Sequence, residues 1–225
     1  PNGSFYTFTS RLGLDVTGPD IGKARSSAKI ETDFGGFSGS NTMLRIRQAY
    51  VNLDWGKSAV LVGITWHPLF GAVMPDVLNL STGAPFQPFN RSPQIRYQYK
   101  ANSRVQLTAS VLWQLQYLSS GPKGMSEDYI KNSCIPEMFV GADFTPADGW
   151  LMGLGAHMIS LKPRTSTEWK EQTFKVNERM TAFSYEAHLK DSGRNYTFAA
   201  KTLMASALDH TALLGGYGVS SVDSR

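Results

Sequence analysis

The stretch Arg104–Tyr117, RVQLTASVLWQLQY, decides the fold. Val105, Leu107, Ala109, Val111, Trp113, Leu115 and Tyr117 fall on one side of a period-two ribbon. Arg104, Gln106, Thr108, Ser110, Gln114 and Gln116 fall on the other, and Leu112 is the one breach of the alternation. Successive side chains of a strand point to opposite faces, so the stretch reads as a β-strand with one apolar and one polar side. A common strand has about 5–6 residues, and this pattern is more than twice as long. At about 3.3 Å per residue it reaches roughly 46 Å. Tilted by about 45°, that length covers the apolar band of an outer membrane and its interfaces. The apolar side is therefore expected to touch lipid.

The rest of the chain repeats the pattern. Ser4–Val16, Ala24–Phe34, Gln94–Lys100, Met138–Phe144, Trp150–Met158, Thr181–Lys190 and Asn195–Met204 all alternate. Leu44–Trp55 alternates with a change of phase, which one extra residue near Gln48 repairs, so a β-bulge is expected there. From residue 42 onward the connections are short and long by turns. Residues 56–57, 101–102, 146–149 and 191–194 are short, and 68–91, 118–136 and 162–174 are long. Short turns at one end and long loops at the other imply an all-β, up-and-down antiparallel transmembrane barrel. A soluble β-sandwich that binds glycans through exposed Trp and Tyr is the alternative, but Greek-key crossings do not produce this regular asymmetry.

Composition agrees. The chain has 225 residues, is 41% hydrophobic and carries 22 basic and 18 acidic residues, for a net charge of +4. That balance is mildly basic and shows no Lys/Arg cluster of the kind that tracks nucleic acid. No run of about 18 apolar residues supplies a transmembrane helix. The mean hydropathy of −0.24 is compatible with a barrel, whose apolarity is hidden in alternation. The lone Cys134 makes no intramolecular disulfide and is assigned no role.

The segments AKIETDF, LRIRQAYVNLDWGKSAVLVGITWHPLF and PFNRSPQIRYQYK resemble Gram-negative outer-membrane porins, especially the trimeric dicarboxylate-type group. An Arg-rich strand leads through a tight turn into a Gly-Ile-Thr-Trp strand, and a long loop follows. The resemblance implies an outer-membrane location, a homotrimer and passive diffusion of small hydrophilic solutes. It also implies a barrel of about sixteen strands. The chain offers about ten strands, and its final stretch starts what it does not finish, so residues 1–225 are expected to be one incomplete barrel domain, an N-terminal fragment. By the same resemblance, residues 67–91 would fold inward and narrow the barrel, with Asp76, Asn79 and Arg91 facing an arginine wall. A loop packed externally at a trimer contact is the other reading of that segment.

By phase, Arg11, Arg25, Lys29, Arg45, Arg47, Arg96, Lys100 and Arg104 share the polar face, which in a barrel lines the pore. Asp15, Glu31 and Asp33 lie there too, so these charges either act on passing solutes with a mild anion preference or form an ion-pair ladder between strands. His67, His157, His188 and His210 are scattered and show no paired metal-ligand spacing. There is no G-x-S-x-G elbow. No cofactor, metal or enzymatic activity is expected.

Overall fold

The computed structural model describes residues 10–35, 43–71, 73, 87–122 and 124–213. The wall begins with β1 (Arg11–Thr17), β2 (Arg25–Asp33), β3 (Arg45–Asp54), β4 (Ser58–Trp66), β5 (Arg91–Lys100) and β6 (Val105–Leu112). A loop then carries the hairpin β7 (Ser120–Gly121) and β8 (Gly124–Met125) and the single-turn-and-a-half helix α1 (Asp128–Ser133). The wall resumes with β9 (Glu137–Phe144) and β10 (Trp150–Leu161). A second loop hairpin, β11 (Ser166–Trp169) and β12 (Gln172–Lys175), precedes β13 (Met180–Ser192) and β14 (Thr197–Met204). The wall strands form one ten-stranded antiparallel sheet in chain order, each paired with its sequence neighbour, with β1 and β14 at its edges. This is the up-and-down arrangement the connection lengths imply.

The tight turns have local causes. At Asp54–Ser58 the chain reverses through Gly56 at φ 82°, a conformation that glycine adopts without steric cost. The Asp54 carboxylate accepts the Gly56 amide at 2.6 Å and the Trp55 amide donates to the Ser58 carbonyl at 2.9 Å. The bulge lies where the phase change requires it: Glu31 opposes Gln48 while Thr32 opposes Ile46, so Arg47 is the inserted residue. It turns the arginine inward, where it is buried.

The outward phase is apolar and uncovered. Leu14, Ile30, Val51, Val62, Ile95, Leu107, Val140, Leu154 and Phe183 are all exposed. A β-sandwich would cover such a face with a second sheet; here none lies on it among the described residues, which removes the sandwich alternative. At the short-turn end Trp55, Phe144, Trp150, Tyr196 and Phe198 are exposed, as in an interfacial aromatic girdle.

The long-loop end differs from the sequence expectation. The strand through Arg104–Tyr117 stops at Leu112; the Trp113 amide still donates to the Pro93 carbonyl of β5, and residues 114–117 lie outside the strand. Leu112, the breach in the alternation, marks the reason. It points inward and is buried with Leu69, Phe139 and Leu208. Trp113 packs beside a second cluster of Tyr129, Ile130, Ile159, Leu161, Ala182 and Ala207. Trp66 stacks on Phe70 with ring centroids 4.1 Å apart. Trp66, Trp113 and Tyr117 thus pack with the inward loops at the long-loop end of the wall. The apolar core lies inside the wall at the long-loop end, where the loops fold in and bury it.

Candidate functional site

The inner face carries two kinds of site. Towards the short turns it encloses a polar cleft of about 260 Å3. Arg96, Gln98, Gln106, Asp143 and His188 line it, and Pro68 and Gly71 of the loop after β4 border it. Glycines shape this wall. A Cβ on Gly141 or Gly155, which face each other across β9 and β10, would come within 2.8 Å of the Phe139 ring. A Cβ on Gly153 would lie 2.3 Å from the His188 ring. The missing side chains let both rings lie against the backbone, leaving the cleft open beside them. His188 Nε2 sits 3.0 Å from an Asp143 oxygen.

The loop after β4 is held inside. The His67 amide donates to the Asn90 carbonyl at 2.9 Å, and Pro68–Phe70 form a 3-10 turn. Lys201 of β14 reaches over to the carbonyls of Leu69 and Phe70. The segment after β14 closes against both loops: the Phe89 amide donates to the Thr211 carbonyl, and the Ser120 amide to the Asp209 carboxylate.

Above the cleft lies a buried cluster. Glu137, the first residue of β9, is fully enclosed. The Nε2 atoms of His67, His157 and His210 approach its Oε2 atom at 3.3, 3.3 and 3.1 Å. Its Oε1 atom accepts from Gln114 Nε2 at 2.9 Å, and Gln114 is fixed in turn by Ser119. His67 Nδ1 accepts the Leu69 amide at 3.2 Å, which places the proton of this ring on Nε2, facing Glu137. Burial pushes His67 down to about 4, so the ring is neutral at physiological pH. Burial also opposes charge on His210, but the nearby Glu137 charge and hydrogen bond prevail and hold it above the usual histidine range. The cluster can therefore share a proton between an imidazole and a carboxylate away from water.

The residues singled out from the sequence are placed as follows. Arg45 holds Asp33 through two hydrogen bonds at 2.9 and 2.6 Å. Arg47 bridges Glu31 at 2.6 Å and Asp33 at 2.9 Å. Lys29 pairs with Asp15 at 3.1 Å, and Arg25 with Asp54 at 2.8 Å. Arg11 lies opposite Asp33 in the register, on the exposed edge strand. Much of the arginine wall is thus an ion-pair ladder, with Asp54 as an acid that phase counting leaves out. Arg96 donates to the Trp66 carbonyl at 2.6 Å and to Gln94. Lys100 ends β5 and Arg104 precedes β6; both are exposed at the short-turn end. Arg91 opens β5 and is enclosed by Trp66, Phe89 and Tyr117, with its guanidinium 5.1 Å from the Trp66 ring and 2.9 Å from the Tyr117 hydroxyl. Asp76 and Asn79 lie outside the described residues. Cys134 is exposed.

The sequence reading missed Glu137, Gln114 and the convergence of the histidines. The signals present were small: a polar residue, Glu137, at the start of an alternating strand, and the His-Pro step that ends β4.

No protein-family model and no curated protein sequence matches the chain. Among solved structures it is similar to the loop-L8 deletion mutant of OmpT, an outer membrane protein of Vibrio cholerae, with a TM-score of 0.54 at 13% identity. The likeness covers 88% of this chain and 61% of that one, so the chain spans under two thirds of its length. The expectation that the chain is not an enzyme does not stand. It rested on histidines scattered along the sequence and on the lack of a G-x-S-x-G elbow, whereas the fold converges three of those histidines on one buried carboxylate. The likeness to OmpT gives the fold and no ground for excluding catalysis. The ten-stranded up-and-down sheet, its uncovered apolar outer face and this likeness together describe an outer-membrane β-barrel.

Proposed function

We propose that this barrel is a porin through which small hydrophilic solutes diffuse passively. The observation that carries the reading is the polar cleft of about 260 Å3 inside a sheet whose other face is apolar. A wall that is polar within and apolar without is what an aqueous path through lipid requires. The inward turn at Pro68–Phe70 borders that path and is tied to the far edge by Lys201, which suits a constriction.

Selectivity in this reading is a mild anion preference of different origin from the one expected. Arg45 and Arg47 are matched by Asp33 and Glu31, so their fields largely cancel. Arg96, bonded to neutral groups, and Lys100 and Arg104 at the short-turn mouth supply the positive field, opposed by Asp143. The resemblance to trimeric dicarboxylate-type porins supports a homotrimer, a closed cyclic assembly.

The test is conductance in a planar bilayer with a salt gradient. Ohmic channels with a reversal potential on the anion side support the proposal. Absence of conductance from correctly folded protein rejects the channel, and cation selectivity rejects the assignment of Arg96, Lys100 and Arg104.

A further inference from the structure

The closed cluster around Glu137 is separate from the open cleft and has a chemistry of its own. His67 and His157 ring nitrogens and a Glu137 oxygen lie within 4.8 Å of one another, and His210 Nε2 is 3.1 Å from the same carboxylate. Imidazoles combined with a carboxylate are a ligand set for zinc-like divalent ions. The spacing fits as well. Charge-assisted N–H···O contacts settle at about 2.7–2.9 Å, whereas the His67 and His157 Nε2–Oε2 separations here are both 3.3 Å. The edge of a tetrahedron with ligands about 2.0 Å from its centre is about 3.3 Å. Finally, Glu137 is fully buried, and its ion-pair partners among the described residues are histidines alone, with no Lys or Arg to balance it.

We propose that His67, Glu137 and His157 bind one divalent transition-metal ion of the zinc class, through the two Nε2 atoms and Glu137 Oε2, with a water as fourth ligand and His210 hydrogen-bonded to the same carboxylate. Each ligating Nε2 must be bare, so each ring keeps its one remaining proton on Nδ1, and any further proton is released. At His157, Nδ1 is buried and accepts no hydrogen bond, so no donor opposes a proton there. At His67, Nδ1 accepts the Leu69 amide, so a proton on it faces another donor and the Pro68–Phe70 turn must shift. Metal binding is therefore coupled to the inward loop. The ion ties β9 and β10 to that loop. Gln114, holding Oε1, is the outer-shell partner that aims the carboxylate.

The experiment uses the untagged chain, folded in detergent free of lipopolysaccharide, stripped with chelator and titrated with Co2+. One Co2+ per chain is expected, with the intense visible bands of a four-coordinate site, displaced by Zn2+. Glu137→Gln and His157→Gln should each weaken binding by about 100-fold or more, and His188→Gln in the cleft should leave it unchanged. Should the Glu137 variant fail to fold, His67→Gln, which lies outside the sheet, carries the same comparison. No stoichiometric uptake by the folded wild-type chain, weak six-coordinate bands, or uptake that survives the ligand substitutions would each overturn the proposal.

Discussion

The ammonium of Lys201 lies 3.2 Å from the carbonyl oxygen of Phe70, 131 residues earlier in the chain. The same ammonium is 3.1 Å from a Glu186 oxygen, and both side chains are nearly buried. One cation on β14 thus anchors the inward loop and balances a buried acid.

Removing that cation should be costly. Lys201→Met is expected to lower stability by about 2 kcal/mol, the scale of a hydrogen bond to a charged group. The double variant Lys201→Met/Glu186→Gln should lose less than the two single variants combined, because the pair is directly coupled. Denaturant midpoints in lipid vesicles measure both, and strict additivity would remove the coupling.

The two faces of the wall predict different tolerance to charge. Val140 points outward and is exposed, while Gln98 lines the cleft. Val140→Arg should cost about 2–4 kcal/mol near the bilayer midplane, and Gln98→Arg much less. Equal costs in folding titrations into vesicles would remove the lipid-facing assignment.

Gly155 is a seat for Phe139. A Cβ there would meet the Phe139 ring at 2.8 Å and Glu186 Cγ at 2.9 Å. Gly155→Ala should destabilise by about 1–3 kcal/mol through overpacking. Adding Phe139→Leu should recover part of the loss, as read from thermal unfolding of the two variants.

The ladder on β2 and β3 predicts the sign of a selectivity change in the proposed channel. Asp33 answers both Arg45 and Arg47. Asp33→Asn keeps the shape and strips that charge, so the reversal potential should move towards anions. Arg45→Ala/Arg47→Ala leaves the acids in excess and should move it towards cations. Both shifts should shrink as salt rises, since screening sets in over about 8–10 Å at physiological ionic strength.

A pH prediction concerns the short turn after β13. The Tyr196 hydroxyl donates to Asp191 at 2.9 Å, and this bond to a negative carboxylate holds the phenol above its usual range. A group with a raised folded pKa contributes fully below its unfolded value, about 10. The contribution is lost as pH climbs through the higher folded value. Phenolate absorbance should therefore show one late-titrating tyrosine, absent in Tyr196→Phe.

The sequence by itself determined the wall. Alternation in Ala24–Phe34, Gln94–Lys100 and Thr181–Lys190 gave the strands and their inner and outer sides, because a strand's faces depend only on its own residues. The phase change at Gln48 located the bulge, and connection lengths set the up-and-down order. Leu112 broke the pattern, yet alternation carried the strand on to Tyr117, whereas it ends at Leu112, which is buried with partners that could not be read. Those partners were decided by tertiary structure alone. Glu137 meets His67 across 70 residues, His210 across 73 and His157 across 20. Periodicity reports which side of its own strand a residue occupies. It is silent on which loops fold to the same end of the barrel, since that depends on apolar side chains such as Leu69, Leu112, Phe139 and Leu208 finding one another. The ion-pair ladder was half legible for the same reason. Phase put Arg45, Arg47, Glu31 and Asp33 on one face, and only the register across β2 and β3 paired them and brought Asp54 to Arg25.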